Sequence, residues 1–169
     1  LPETEKQGIP ISLRPVLLRD SRDIFEAVSH GDLLPAVPGS DQIKSPDDAA
    51  RVVEGLMERA DGGGEFHFSV CLEDGKVVGM CAIYGFMPDC SARIGYWINR
   101  DYRGRGYGRE VVRRLADVAF SDLGVRKVIA VSKGSNQASI RLLRSLGFAE
   151  DGYPGAGSGE KALSLGRDG

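Results

Sequence analysis

Arg93-Ile-Gly-Tyr-Trp-Ile-Asn-Arg-Asp-Tyr-Arg-Gly-Arg-Gly-Tyr-Gly108, continuing through residues 109–122, reads as strand, glycine-rich turn and helix. Tyr96, Trp97 and Ile98 favour a strand. Residues 103–108 place three glycines in five positions, Gly104, Gly106 and Gly108. Val111, Val112, Leu115, Val118 and Ala119 then recur at helical spacing. A helix that starts after such a turn presents backbone N–H groups with no acceptor inside the helix. They lie at the positive end of the helix dipole, and glycine lets a bulky anion come close to them. The predicted guest is a phosphate or pyrophosphate. Each charge-assisted hydrogen bond to it would contribute about 1.5–3 kcal/mol.

Other glycine-rich motifs fit less well. A dinucleotide fingerprint needs a third glycine where Arg109 stands, and no P-loop string is present. Arg100, Arg103, Arg105, Arg109, Arg113 and Arg114 cluster as an RNA-binding segment would, but here between a strand and an amphipathic helix. The pattern Q/R-x-x-G-x-G/A does fit, as Arg103-x-x-Gly106-x-Gly108.

The chain has 169 residues, enough for one domain with a sizeable core. Charged residues make up 27% and apolar residues 41%, the composition of a globular protein. A net charge of −2 gives no general attraction to nucleic acid or to an anionic membrane. Cys71, Cys81 and Cys90 have no metal-ligand spacing and read as reduced, strand-packing thiols of a cytoplasmic protein. His30 and His67 are too far apart in sequence to suggest a metal site. No segment has the length and apolarity of a membrane span.

Residues 1–10 read as a flexible polar arm, and residues 11–169 as one domain. A first strand is expected over 11–17, then a helix capped by Asp20 running to His30, with Ile24, Phe25 and Val28 on one face. Residues 31–44 are too broken for a regular element and form either a packed connection or one wall of an acceptor groove. Ser45-Pro-Asp-Asp48 is a clear helix start: a serine cap, proline in the first turn and two aspartates facing the dipole. Ala49, Val52, Val53, Leu56 and Met57 form its apolar stripe. Strands are expected over 66–72 and 76–84 around a turn, with a loop over 85–91. After the central unit come a buried strand over 125–132 and a helix capped by Asn136 or Ser135, with Leu142, Leu143 and Leu146 inward. Gly147 closes that helix. Short strands start at Phe148 and cover 162–165, flanking a glycine-rich loop over 152–159.

This order, with Arg103-x-x-Gly106-x-Gly108 followed by Asn136-x-x-Ser139 and Leu146-Gly147-Phe148, resembles the GNAT superfamily of N-acetyltransferases. Gly95-Tyr-Trp97 and Ser139 are most similar to the ribosomal-protein N-terminal acetyltransferases. The resemblance implies an α+β fold, a mixed αβα sandwich in which parallel strands four and five splay apart around acetyl-CoA. It implies that Arg103, Gly104, Arg105, Gly106, Tyr107 and Gly108 hold the pyrophosphate. Tyr96, Trp97 and Ile98 would pair with the pantetheine amides, Asn136 would bond the pantetheine arm, and Ser139 would face the thioester sulfur. Arg141 and Arg144 could reach the outer phosphate.

Two departures from the family pattern matter. Arg93 stands where many relatives carry a glutamate base, and Leu143 where many carry a tyrosine acid. Arginine stays protonated and leucine cannot donate. Glu160 is the best remaining base by position, followed by Glu65 and Asp89. The expected activity is acetyl transfer from acetyl-CoA to a primary amine in a ternary complex, with Ser139 and Glu160 as catalytic residues. The acceptor is a peptide N-terminus or a small amine (polyamine, aminoglycoside or amino-acid-like). A CoA-binding sensor without turnover is the rival reading. No metal is implied, nucleic acid is disfavoured as a partner, and the chain is expected to be a monomer or homodimer.

Overall fold

The computed structural model describes residues 9–29 and 39–167. Its elements are β1 Ile11–Pro15, α1 Ser21–Ser29, α2 Pro46–Asp61, β2 Glu65–Leu72, β3 Val77–Tyr84, β4 Ser91–Ile98, α3 Tyr107–Ser121, β5 Lys127–Lys133, α4 Gln137–Ser145, β6 Ala149–Asp151 and β7 Glu160–Gly166. Short 3₁₀ turns cover Leu18–Asp20, Ser40–Gln42 and Arg100–Tyr102. Residues 1–8, His30 and residues 31–38, including most of the expected arm and of the broken connection, lie outside the described residues.

The strands form one sheet in the order β1-β2-β3-β4-β5-β7-β6. All neighbouring pairs are antiparallel except β4 and β5. Those two pair only from Ser91↔Lys127 to Ile94↔Ala130. Beyond Ile94 the β5-facing edge of β4 has no strand partner among the described residues, so the sheet opens into a wedge. This is the GNAT architecture, and it places the opening at Gly95–Ile98.

Among the described residues, each face of the sheet carries two helices. Val111, Val112, Leu115 and Ala119 of α3 and Ile140 and Leu143 of α4 pack with Val78, Cys81, Ile83, Ile94 and Ile98. On the other face Ile24, Ala27, Ala49, Val53 and Leu56 of α1 and α2 pack with Met80 and Trp97. The strand period of two explains the division, since successive side chains leave β4 on opposite faces. Burying each of these large apolar side chains contributes about 1.5–3 kcal/mol. On α4 the inward residues are Ile140 and Leu143, whereas Leu142 and Leu146 are only partly buried. The cap at Asn136 sets the helical phase and turns Leu142 toward the wedge.

Ser45 caps α2 as expected, its hydroxyl accepting the Asp48 N–H at 3.2 Å. Asp20 does something different from the expected cap. It is 2% exposed and closes the first 3₁₀ turn. Arg14 donates to its carboxylate at 2.7 and 2.8 Å, Ser69 Oγ at 2.6 Å and the Leu17 N–H at 2.9 Å. Cys90 also departs from its reading: it is exposed, in a loop, at φ 61°.

Burial pushes the Asp20 carboxyl up, but the hydrogen bonds from Arg14, Ser69 and Leu17 outweigh it and hold it below the usual value. A lowered carboxylate stabilises the fold fully above its unfolded value near pH 4, and that contribution is lost as pH falls through the folded value. Asp20→Asn is expected to cost about 1–3 kcal/mol at pH 7, because donors lose a charged acceptor inside the protein. Urea unfolding at pH 7 and pH 2 checks this. An equal loss at both would remove the carboxylate charge as the cause.

Candidate acetyl-CoA site

The site grows from the way β4 ends. The Asn99 side chain accepts the Asp101 N–H at 3.1 Å and starts the 3₁₀ turn. Arg103 Nε then donates back to Ile98 O at 2.8 Å, pinning the loop to the strand it left. Gly104 and Gly106 have φ of 74° and 83°, the left-handed region that suits glycine. Gly106 is the N-cap of α3 and offers no side-chain acceptor. The first helical bond is Glu110 N–H to Gly106 O at 3.2 Å, so the N–H groups of Tyr107, Gly108 and Arg109 have no acceptor within the helix.

These N–H groups border a cavity of about 560 Å³ in the wedge. Its walls are Tyr96, Trp97 and Ile98 of β4, Tyr102, Arg103, Gly104, Gly106, Tyr107, Gly108 and Arg109 of the turn, and Asn136, Ala138, Ser139 and Leu142. A side chain at Gly108 would stand 3.2 Å from Leu142 Cδ1 and 3.7 Å from the Tyr96 ring, across the narrow part of the groove. Bare backbone at the mouth, a helix N-terminus and a long half-apolar trench suit an elongated molecule with an anionic head.

A second cavity of about 110 Å³ adjoins it, walled by Tyr84, Ile94, Gly95, Tyr96, Ala130, Val131, Ser132, Asn136, Ser139 and Leu143. Tyr96, Asn136 and Ser139 belong to both walls. Tyr96 Oη and Ser139 Oγ are 2.9 Å apart at this shared wall. Burial pushes the Tyr96 phenol up, and the Ser139 bond offsets this only in part, so the phenol is protonated and able to donate at neutral pH. Asn136 Oδ1 accepts the Ser139 N–H at 3.2 Å, capping α4. Its amide NH₂ is not used by the cap and can donate to a ligand.

Most of the residues read from the sequence thus line the cavities. Arg105 does not: its guanidinium bonds Asp101 O at 3.3 Å and lies 5.4 Å from the Tyr102 ring centre. Glu160 is exposed, lines neither cavity and accepts the Gly157 N–H at 2.7 Å. Glu65 is bonded by His67 and Arg59, and Asp89 by Ser91. Arg144 pairs with Glu150. Leu143 is fully buried. Sequence reasoning missed Tyr84, Val131 and Ser132, whose only local signal is their place in the strands flanking the wedge.

Three more of the clustered arginines are engaged within the fold. Arg109 bonds Ser145, Arg113 bonds Glu110 and Asp117, and Arg114 bonds Glu110 and Ile11 O. Arg93 is different. Its Cζ lies 5.0 Å from the Tyr84 ring centre and 5.6 Å from that of Tyr153, and its buried Nε has no hydrogen-bond partner among the described residues. No group of His, Cys, Asp or Glu among the described residues could hold a metal. No helix there is long and apolar enough to cross a membrane.

The chain matches the family described as acetyltransferase (GNAT) domain over residues 11–149. A probable N-acetyltransferase, YjcK of Bacillus subtilis, is 27% identical over 80% of this chain and 73% of its own. The L-amino acid N-acyltransferase MnaT of Escherichia coli is 30% identical over 82% and 79%. The crystal structure of ribosomal-protein-S5-alanine acetyltransferase from Vibrio fischeri superposes with a TM-score of 0.78, covering 96% of each chain at 19% identity. Together with the splayed β4–β5 wedge, these matches make the chain a member of the GNAT family and an acetyl-CoA-dependent N-acetyltransferase.

Proposed function

We propose that the enzyme acetylates an α-amino group, on an amino-acid-like molecule or a peptide N-terminus, with Tyr96 and Ser139 serving the departing thiol. The observation that carries this reading is the hydroxyl pair at the wall shared by the two cavities. The larger cavity takes the CoA portion, with backbone N–H groups of the turn on the pyrophosphate and the Asn136 amide on the pantetheine arm. The smaller one lies where the thioester and the incoming amine would meet. The unpaired edge of Gly95–Ile98 can donate a backbone N–H to the thioester oxygen, which gains charge as the amine attacks. Holding both partners side by side supplies much of the rate. As the C–N bond forms and the C–S bond breaks, the Tyr96 phenol, assisted by Ser139, gives a proton to the leaving sulfur, the role that Leu143 cannot fill. The proton shed by the acylated nitrogen passes through solvent and restores the phenol.

On the amine side, a fixed cation, Arg93, stands where a base would be expected. Glu65, Asp89 and Glu160 are each engaged in hydrogen bonds. Such a site suits an amine that is already substantially neutral. Glu65 and Glu160 both lie close enough to the Tyr84 ring to influence its ionisation, Glu65 the more strongly, and either can take a supporting role. One related protein, MnaT, is named for activity on amino acids, which supports an α-amine acceptor.

Thiol release on mixing with acetyl-CoA and an amine panel tests the reading. Tyr96→Phe and Ser139→Ala should each lower kcat about tenfold, the loss of one transition-state hydrogen bond of about 1.4 kcal/mol. The double variant should be little worse than either, since both break one chain of bonds. Asn136→Ala should mainly raise the KM for acetyl-CoA. Normal turnover in Tyr96→Phe would remove the phenol from the reaction.

A further inference from the structure

Arginine 93 is on β4, opposite Tyr84 of β3 and Ile129 of β5. It is one step before Ile94↔Ala130, the last paired step of β4 and β5. Tyr84, Ile94 and Gly95 all wall the smaller cavity, so the guanidinium stacks on a ring that is itself part of that wall. The surroundings are shaped to hold it. A side chain at Gly85 would stand 3.3 Å from Arg93 Cδ. On the other flank, a side chain at Gly155 would collide with the Tyr153 ring, so the glycine-rich loop leaves that ring its place.

Two tyrosine rings contact the guanidinium, but neither accepts a hydrogen bond from it. The two carboxylates close enough to influence Tyr84 are occupied elsewhere. Glu65 is bonded by His67 and Arg59, and Glu160 by the Gly157 N–H. Arginine presents a flat fork of N–H donors suited to a carboxylate, and rings beside it strengthen that pairing by excluding water. A second orphan lies on the same face of β4. Trp97 Nε1 is buried and also without a partner among the described residues. Between Arg93 and Trp97 on that face stands only Gly95, since side chains two apart share a face. Arg93 lines neither cavity and leaves β4 on the face opposite Tyr96, so Gly95, which walls the smaller cavity, is where a molecule beside the cation meets that cavity across bare backbone. Positions two apart on a strand are about 6.6 Å from each other, room for a molecule whose amine and carboxylate sit on one carbon.

We infer that Arg93, held by Tyr84 and Tyr153 beside the bare backbone of Gly95, binds a carboxylate of the acceptor, which makes the acceptor class a free amino acid rather than a protein N-terminus or a polyamine. This rests on the acetyl-transfer reading of the same site. It also resolves how a cation can stand beside the reacting amine. In a free amino acid the carboxylate holds a proton on the neighbouring amine. Pairing that carboxylate with Arg93 cancels its charge and makes the amine easier to deprotonate.

The test compares L-alanine, L-methionine, L-phenylalanine and L-glutamate with their carboxamides, in the presence of acetyl-CoA, with an alanine-initiated peptide and spermidine alongside. In the wild-type protein at least one amino acid should exceed its carboxamide and the peptide tenfold or more in kcat/KM. Arg93→Gln should erase that preference by raising the KM for the acid at least tenfold, with acetyl-CoA affinity in calorimetry within twofold of wild type. Arg93→Lys should recover part of it. Tyr153→Ala, in a loop, should raise the same KM and leave kcat nearly unchanged. Carboxamides or the peptide acetylated as well as the acids, or a preference that survives Arg93→Gln, would overturn the carboxylate site and leave the acetyltransferase reading intact. A protein that binds acetyl-CoA and acetylates no amine at all would end both.

Discussion

At pH 7 a short peptide with a free N-terminus is expected to be acetylated at least tenfold faster than the same peptide N-blocked and carrying a lysine, and faster than spermidine. Only a neutral amine attacks a thioester. A lysine amine, with pKa about 10.4, is neutral in roughly one molecule in two thousand at pH 7, and an α-amine near 7.7–8.0 in roughly one in ten. The greater intrinsic nucleophilicity of the more basic amine recovers part of that ratio of about two hundred, so about tenfold is the conservative expectation. A local base could erase the difference, but here the strand position next to the wedge holds Arg93, and Glu160 is tied to the Gly157 N–H. The pH profile carries the same signature. The rate should climb with pH up to the α-amine's own pKa and then level off, and Glu160→Gln should change it about twofold or less. If the acceptor carboxylate pairs with Arg93, free amino acids should rank above the peptide, and the peptide above lysine and spermidine. Faster acetylation of the lysine peptide or of spermidine would mean that a carboxylate or an ordered water chain does supply a base.

The elements and their order were legible because they depend on local chemistry. Ser45-Pro46 starts a helix wherever it occurs, and Arg103–Gly108 can hardly be anything but a turn between a strand and a helix. The wedge residues on β4, the turn and α4 followed from those elements. What the sequence hid depends on contacts between distant segments. Tyr96 and Ser139 are 43 positions apart, and nothing local says that their hydroxyls meet. Tyr84 and Tyr153 gather around Arg93 only because β3 lies beside β4 and the loop before β7 folds over that edge. Asp20 departs from its expected role for the same reason. An aspartate before an apolar run is a good cap, but Ser69 and Arg14 are brought to it by the pairing of β1 with β2. Arg105 belongs to the turn motif yet turns back to Asp101, because a 3₁₀ turn precedes it and leaves a carbonyl within reach.

Gly108→Val should weaken acetyl-CoA binding at least tenfold while lowering thermal stability little. The two glycines of the motif make different demands. Gly106 has φ 83°, and a Cβ there would stand 2.7 Å from Ile9 Cδ1. A β-branched residue in that backbone region is strained, so Gly106→Val loses stability as well as affinity and cannot separate the two. Gly108 lies in the first turn of α3 and is not among the positive-φ glycines, so valine brings no comparable backbone strain. Its added Cβ would project toward Leu142 at 3.2 Å and Tyr96 at 3.7 Å. Leu142 is only partly buried and can yield, so the fold tolerates the change, but the methyl groups then occupy the trench beside the N–H groups of Tyr107 and Gly108. Removing even one charge-assisted hydrogen bond of about 1.5–3 kcal/mol amounts to tenfold or more. Calorimetry with acetyl-CoA, beside a thermal melt of the free protein, separates the possibilities. Unchanged affinity with an unchanged melting temperature would show that the groove along α3 does not take the phosphate-bearing end of the cosubstrate.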